Sequence, residues 1–236
     1  MTIQGQSTTQ GLGRVERAAE AFERAVREAP SVDLSWIGQP LRVDGWELAP
    51  DVLQLLWSLV HALRPRHVLE FGSGLSTLVL ARASARIGCV VSAVDNDPVF
   101  ARATAERLSP EDAEVVALQT APLVARTRAG RLHPAYLVDA ARLGSSRAAD
   151  LILIDGPPEV LGGRLGMLYQ ALDHAQAGTI VLVDDAEREG ERRALAAWES
   201  TLGDSVTIRR PAGFARGLAA VTLVAPTVAA IRMGRR

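Results

Sequence analysis

The chain predicts an α/β protein: a doubly wound, mostly parallel sheet with a terminal antiparallel strand, preceded by N-terminal helices. Three observations predict it. Short apolar runs alternate with helix-competent segments from His67 onward. A glycine turn, Gly72-Ser73-Gly74, joins the first run to the first of those helices. Successive runs then close on acids, at Glu70, Asp95, Asp155 and Asp184. Nearly all-apolar strands separated by helices imply a parallel sheet covered on both faces, and such sheets bind ligands outside the carboxyl ends of their strands.

Each element has its own signal. The stretch Met1–Gly13 is rich in Gln, Ser, Thr and Gly and reads as disordered, neither signal peptide nor anchor. Residues 14–49 read as an N-terminal helix and cap segment. The helix spans Val15–Ala29, with Val15, Ala18, Phe22, Ala25 and Val26 on one stripe and Pro30 ending it. Ser31–Ala49, with Pro40, two glycines, Trp36 and Trp46, reads as irregular. The main domain covers 50–236 and opens with a helix from Pro50 to near Pro65. Strands follow at Val68–Phe71, Val90–Asp95, Glu114–Leu118, Leu151–Asp155 and Ile180–Asp184. Helices are expected at Ser76–Ala85, Pro98–Leu108, Arg164–Ala175 and Arg188–Leu202. Arg126–Ala149 reads as a loop or broken helix beside the ligand site. Ser205–Arg210 and Leu218–Val224 are strand-like with no helix between them, which predicts a closing antiparallel pair.

Composition narrows the function. With 236 residues the chain can bury a full core, and its net charge of −1 makes no electrostatic case for a nucleic-acid partner. All 26 basic side chains are arginine, so no lysine serves as base, Schiff-base former or phosphate clamp. The single cysteine, Cys89, excludes a disulfide and a thiolate zinc site. Val221–Ile231 is apolar but short and broken by Pro226, so no membrane partner is expected, and the chain reads as a soluble cytoplasmic protein. Self-association into a homo-oligomer stays open.

The glycine turn with Asp95 about twenty residues on describes a nucleotide-binding strand–turn–helix–strand unit of the Rossmann-like kind, Asp95 being placed for a ribose. Dinucleotide sites usually carry a third glycine where this chain has Thr77. S-adenosylmethionine lacks a pyrophosphate and carries an amino group, which Glu70 is placed to meet. Asp155, Asp184 and Asp185 collect at two strand ends, where three carboxylates need a positive partner. A hard cation such as Mg²⁺ suits oxygen ligands. Neutralisation by Arg164 and Arg188, or capping of the Arg188 helix, are the alternatives.

Taken together, His67–Thr77, Val94–Pro98, Asp150–Pro157 and Ile180–Arg188 resemble class I S-adenosylmethionine-dependent methyltransferases over roughly residues 45–225. The stretches LIDGPP and VLVDDAEREGE, with Gly163-Arg164, Met167 and Tyr169, resemble the branch holding glucuronoxylan methyltransferases. The resemblance implies cofactor contacts from Glu70, Gly72, Ser73, Gly74, Ser76, Thr77 and Asn96, a ribose contact from Asp95, and adenine contacts from Thr120, Ala121 and Pro122. Asp155, Asp184 and Asp185 fall where catechol O-methyltransferase-like enzymes hold Mg²⁺ with Asp, Asp and Asn, the third position being Asp here, and Asp155 is implied beside the cofactor as well. Those enzymes carry a lysine base where this chain has Pro158; either His133 replaces it or metal polarisation alone activates the hydroxyl, with Asp155 and Asp184 as the other catalytic candidates, and Tyr136 and Trp46 are candidate aromatic walls. The expected activity is metal-assisted methylation of a hydroxyl on a small molecule or sugar. Metal-independent N- or carboxyl methylation, a nicotinamide-dependent dehydrogenase and an inactive cofactor-binding scaffold are the competing readings.

Overall fold

A computed structural model describes residues 3–43 and 47–224; Trp46 and Pro226 lie outside the described residues. Helix α1 runs Ile3–Glu28 and α2 Pro50–Leu63, followed by β1 His67–Phe71, α3 Leu75–Ala85, β2 Val90–Asp95, α4 Pro98–Glu106 and α5 Pro110–Ala113. Next come β3 Val116–Thr120, β4 Leu123–Arg128, β5 Arg131–Tyr136, β6 Ala149–Ile154, α6 Met167–Ala171, β7 Ala175–Asp184, α7 Glu189–Leu202, β8 Val206–Arg209 and β9 Leu218–Leu223. Seven strands form one sheet in the order β3-β2-β1-β6-β7-β9-β8. The pairs from β3 to β7 are parallel, and β9 is antiparallel to both β7 and β8. The doubly wound sheet and its terminal antiparallel pair are therefore as the sequence predicts.

Alternation of side chains along the strands feeds two cores. Val68, Val91, Leu151, Leu153, Ile180 and Leu182 face α1, α2 and α3. Leu69, Phe71, Ile152, Ile154, Val181 and Val183 face the α6 and α7 side, where Trp198 is wholly buried and donates from Nε1 to Leu165 O at 2.8 Å. Helix α3 is buried on nearly every side, which is why its sequence shows no polar face. Among the described residues no helix is long and apolar enough to cross a membrane.

Four expectations change. Helix α1 reaches back to Ile3, through the stretch expected to be disordered. Strand β3 starts two residues later than expected, because Ser109 caps the short helix α5 (Asp112 N to Ser109 Oγ, 3.1 Å) and that turn takes up Glu114. The Arg164–Ala175 helix shrinks to α6, leaving Arg164 in the loop before it and His174 in a 3-10 turn. Most consequential, the Arg126–Ala149 loop is in large part a hairpin: β4 pairs antiparallel with β5 across Ala129-Gly130. Both turn residues have positive φ, 48° and 73°, as a tight two-residue hairpin requires. Ala-Gly is a weak turn signal, and β4 is half-buried at Leu123, Val124 and Arg128 and exposed at Ala125, Arg126 and Thr127, so no apolar alternation announces these strands.

Candidate active site

The loop after β1 closes onto the end of β6. Gly72 has a φ of 108°, and a Cβ there would lie 3.3 Å from Gly156 N and 3.5 Å from Asp155 Cβ. Glycine is what lets the two strand ends approach. Gly72 N donates to Val94 O at 2.8 Å, while Asp155 N and Gly156 N donate to Phe71 O at 3.0 and 2.8 Å. The ends of β1, β2 and β6 are thus tied together where the strand order reverses, the place where doubly wound sheets bind ligands.

The side chains on this loop are ordered by one another. Ser73 Oγ donates to Asp95 Oδ2 at 2.6 Å, and Asp97 N donates to Asp95 Oδ1 at 2.9 Å. Ala121 N donates to Asp95 O at 2.8 Å, which sets Thr120–Pro122 beside the β2 end. Thr77 explains the absent third glycine: its hydroxyl accepts from Gly74 N at 3.0 Å and donates to Glu70 Oε2 at 2.7 Å. Glu70 is fully buried, and its Oε1 has no hydrogen-bond partner among the described residues. Burial pushes its carboxyl up to about 8, opposed by the Ser76 and Thr77 hydroxyls and reinforced by Asp155 and Asp95. A cationic group reaching Oε1 would offset that penalty. Asn96 is partly exposed in the turn before α4.

The three aspartates meet arginines. Arg164, only 6% exposed, donates from Nη2 to Asp155 O at 2.7 Å and from Nη1 to Asp184 O at 2.5 Å, joining the ends of β6 and β7. Its Nη2 also lies 3.3 Å from Asp155 Oδ1 and 3.2 Å from Asp185 Oδ2. From the other side, Arg216 Nη2 pairs with Asp184 Oδ2 at 2.7 Å and its Nε with Asp185 Oδ1 at 3.0 Å. Arg188 Nη1 approaches Asp185 Oδ2 at 2.9 Å. Burial pulls the Arg164 guanidinium down, but Asp155, Asp185, Asp184 and Glu191 together hold it above its ordinary value. Asp184 and Asp185 are 0% and 3% exposed at the side chain, whereas Asp155 keeps 18%. Burial, partly countered by Arg164 and reinforced by Asp184 and Asp185, pushes the Asp155 carboxyl up to about 7.

In this arrangement Asp155, Asp184 and Asp185 are paired with Arg164, Arg216 and Arg188, and the Mg²⁺ expected at the three acids finds no support. The positive charge that the acids need is supplied by guanidinium groups set among their oxygens. Among the described residues no group of three or more His, Cys, Asp or Glu side chains is arranged to hold a metal ion.

The hairpin supplies the remaining wall. Tyr136, at the end of β5, stacks on Phe71 with centroids 5.6 Å apart and an interplanar angle of 12°. A Cβ on Gly156 would come within 2.5 Å of its hydroxyl oxygen. Burial, with Asp95 and Asp155 nearby, holds the Tyr136 phenol above its ordinary range, so it stays protonated. Gln170 fixes the tyrosine backbone, accepting from Tyr136 N at 2.9 Å and donating to Tyr136 O at 2.7 Å. His133, on β5, packs its ring against Tyr169 with centroids 5.6 Å apart and its Cβ against Gly166, and burial lowers its pKa.

A family model described as a methyltransferase domain matches residues 69–186, half of the chain and the whole span from β1 to the Asp184-Asp185 pair. The chain belongs to this methyltransferase family. Solved structures share its fold. Cofactor-bound Rv0187 from MTB is 21% identical, covering 88% of this chain and 90% of that one, with a TM-score of 0.56. The S-adenosylhomocysteine-bound Podospora anserina methyltransferase PaMTH1 is 14% identical, covering 86% and 87%, with a TM-score of 0.54. A Staphylococcus aureus protein described as a caffeoyl-CoA O-methyltransferase is 13% identical, covering 84% and 91%, with a TM-score of 0.51. No curated protein matches in sequence.

Within this methyltransferase domain, sequence reasoning finds the loop residues, the acids and Arg164. It misses Arg216 and Gln170. Arg216 sits in the β8–β9 connection, 31 residues beyond Asp185 and with no motif around it. Gln170 follows the Tyr169 already singled out, but nothing in the chain pairs it with Tyr136 before the hairpin is known.

Proposed function

We propose that the protein transfers the methyl group of S-adenosylmethionine to a hydroxyl oxygen of a small-molecule or sugar acceptor without a metal ion. The observation that carries this reading is Asp155. It stands where β1 and β6 diverge, against Gly72, and is the one acid of the three with access to solvent. Its carboxyl, raised to about 7, is suited to taking a proton near neutrality.

In this reading the Gly72–Gly74 loop and Asp95 hold the nucleoside, and Glu70 meets the amino group of the methionine part. Tyr136 and Phe71 shape the floor. Asp155 accepts the acceptor's hydroxyl proton as the oxygen attacks the methyl carbon and the carbon–sulfur bond breaks. The sulfonium leaves as a neutral thioether, S-adenosylhomocysteine. Asp184 and Asp185 fix Arg164 and Arg216, which hold the two strand ends in place. The oxygen acceptor is further supported by the likeness to the caffeoyl-CoA O-methyltransferase-like fold.

The test is Asp155→Asn with a labelled cofactor and a panel of hydroxylated acceptors, alongside calorimetry with S-adenosylhomocysteine. Transfer is expected to fall by about 10²–10⁴-fold, the range for loss of a general base, with product affinity nearly unchanged. Wild-type transfer is expected to continue undiminished in excess chelator. Full turnover by the Asn variant, or loss of turnover on chelation, would refute this assignment.

A further inference from the structure

A second concavity lies at the opposite end of the sheet and belongs to none of this chemistry. It encloses about 570 Å³ between α1 and the amino ends of the strands. Six arginines ring it: Arg14, Arg17 and Arg24 from α1, Arg64 at the end of α2, Arg66 before β1 and Arg147 before β6. Against them stand only Glu20 and Asp150, an excess of four positive charges in a chain whose net charge is −1.

Asp150 is already committed. Its Oδ2 accepts from Arg66 N at 2.8 Å, its Oδ1 from Gln176 Nε2 at 3.1 Å, and Arg14 Nη1 stands 4.0 Å away. Arg24 donates to Ala62 O at 2.8 Å. Among the described residues, no carboxylate pairs with the guanidinium groups of Arg17, Arg64, Arg66 or Arg147. Like charges gathered around a concavity repel one another unless an anion enters, and walls of low dielectric concentrate their field. Arg64 occupies a left-handed position (φ 49°) that glycine commonly fills at a helix end, so the site holds an arginine where the backbone favours none.

We propose that this concavity binds a small molecule bearing several phosphate groups. Guanidinium forks match phosphate oxygens in pairs, and the volume lies within the range of small-molecule sites, about 300–1,000 Å³. No aromatic side chain lines it, so recognition rests on the anionic groups and not on a stacked base. The ligand bridges α1 to the starts of β1 and β6. The methyl-transfer cleft stands at the other end of β1, about 15 Å away along the strand, so both sites fill independently.

The experiment is calorimetry of the full chain with inorganic tripolyphosphate, at low salt and over a salt series, repeated on Arg17→Ala/Arg147→Ala. Both arginines are exposed, so the variant is expected to fold and to bind S-adenosylhomocysteine as the parent does. Saturable one-to-one binding is expected, falling as salt rises, at least tenfold weaker in the variant and unaffected by S-adenosylhomocysteine. The parent's thermal midpoint should rise with tripolyphosphate. Absence of saturable binding, equal binding by the variant, or displacement by S-adenosylhomocysteine would each overturn the proposal. So would binding of RNA with none of tripolyphosphate.

Discussion

Single side chains at the β1 end carry the clearest electrostatic consequences. Glu70 is buried with one oxygen unpaired, and its carboxyl is raised from 4.5 to about 8. Between those values the native chain keeps a proton that the unfolded chain has released. Stability therefore falls as pH rises across that window, by up to about 1.4 kcal/mol per pH unit for each such group. Asp155, raised from 3.8 to about 7, acts in the same direction. The ligand-free protein should lose thermal stability from about pH 7 to 8, above the range in which the buried histidines His67, His133 and His174, whose pKa values burial lowers, act in the opposite direction. Glu70→Gln should flatten that slope and leave the variant more stable than the parent at pH 8. Thermal melts across the range decide it; a parent stability that climbs toward pH 8 would show that Glu70 is ionised and already paired. Glu70, Asp155 and Arg164 are legible in the sequence because acids end strands and a Gly-Arg pair precedes a helix. The direction of their pKa shifts is not, since it depends on how much water the fold removes.

At the scale of elements, the β4–β5 hairpin decides the shape of the cleft. It brings Tyr136 onto Phe71, and Gln170 on α6 holds it by two backbone hydrogen bonds. Gln170→Leu keeps the volume but leaves a buried N–H and a buried carbonyl without partners. A loss of about 2–4 kcal/mol is expected in denaturant unfolding, with weaker binding of S-adenosylhomocysteine, because unsatisfied buried groups bear their full desolvation cost. Unchanged stability and affinity would mean that the hairpin is held by other contacts. The helices and parallel strands are readable in order because apolar periodicity reports burial. The hairpin escapes that reading, since no residue of β4 is fully buried, Ala125, Arg126 and Thr127 are exposed in a row, and its Ala129-Gly130 turn is a weak signal in sequence.

For the molecule as a whole, α1 is part of the core and not an appendage. Phe22, 3% exposed, packs in the same cluster as the α2 leucines and the strand residues Leu153 and Ile180. Phe22→Ala should cost about 3–5 kcal/mol of global stability and unfold the protein in one transition, as cavity formation in a shared core requires. A cost below about 1 kcal/mol, or a separate early transition, would make α1 a detachable cap. The sequence by itself determined the α/β class, the succession of strands and helices along the chain, the glycine loop and the acids at strand ends, because these are set by local periodicity, glycine conformation and the alternation of helix and strand. Only the tertiary structure decided what neutralises those acids. Arg216 reaches Asp184 and Asp185 across the β7–β9 pairing, so the charge that the sequence assigned to Mg²⁺ is carried by guanidinium groups. It also decided where the basic charge gathers: a chain with almost no net charge places six arginines around one concavity, since folding brings α1, the end of α2 and two strand starts together from positions up to 133 residues apart.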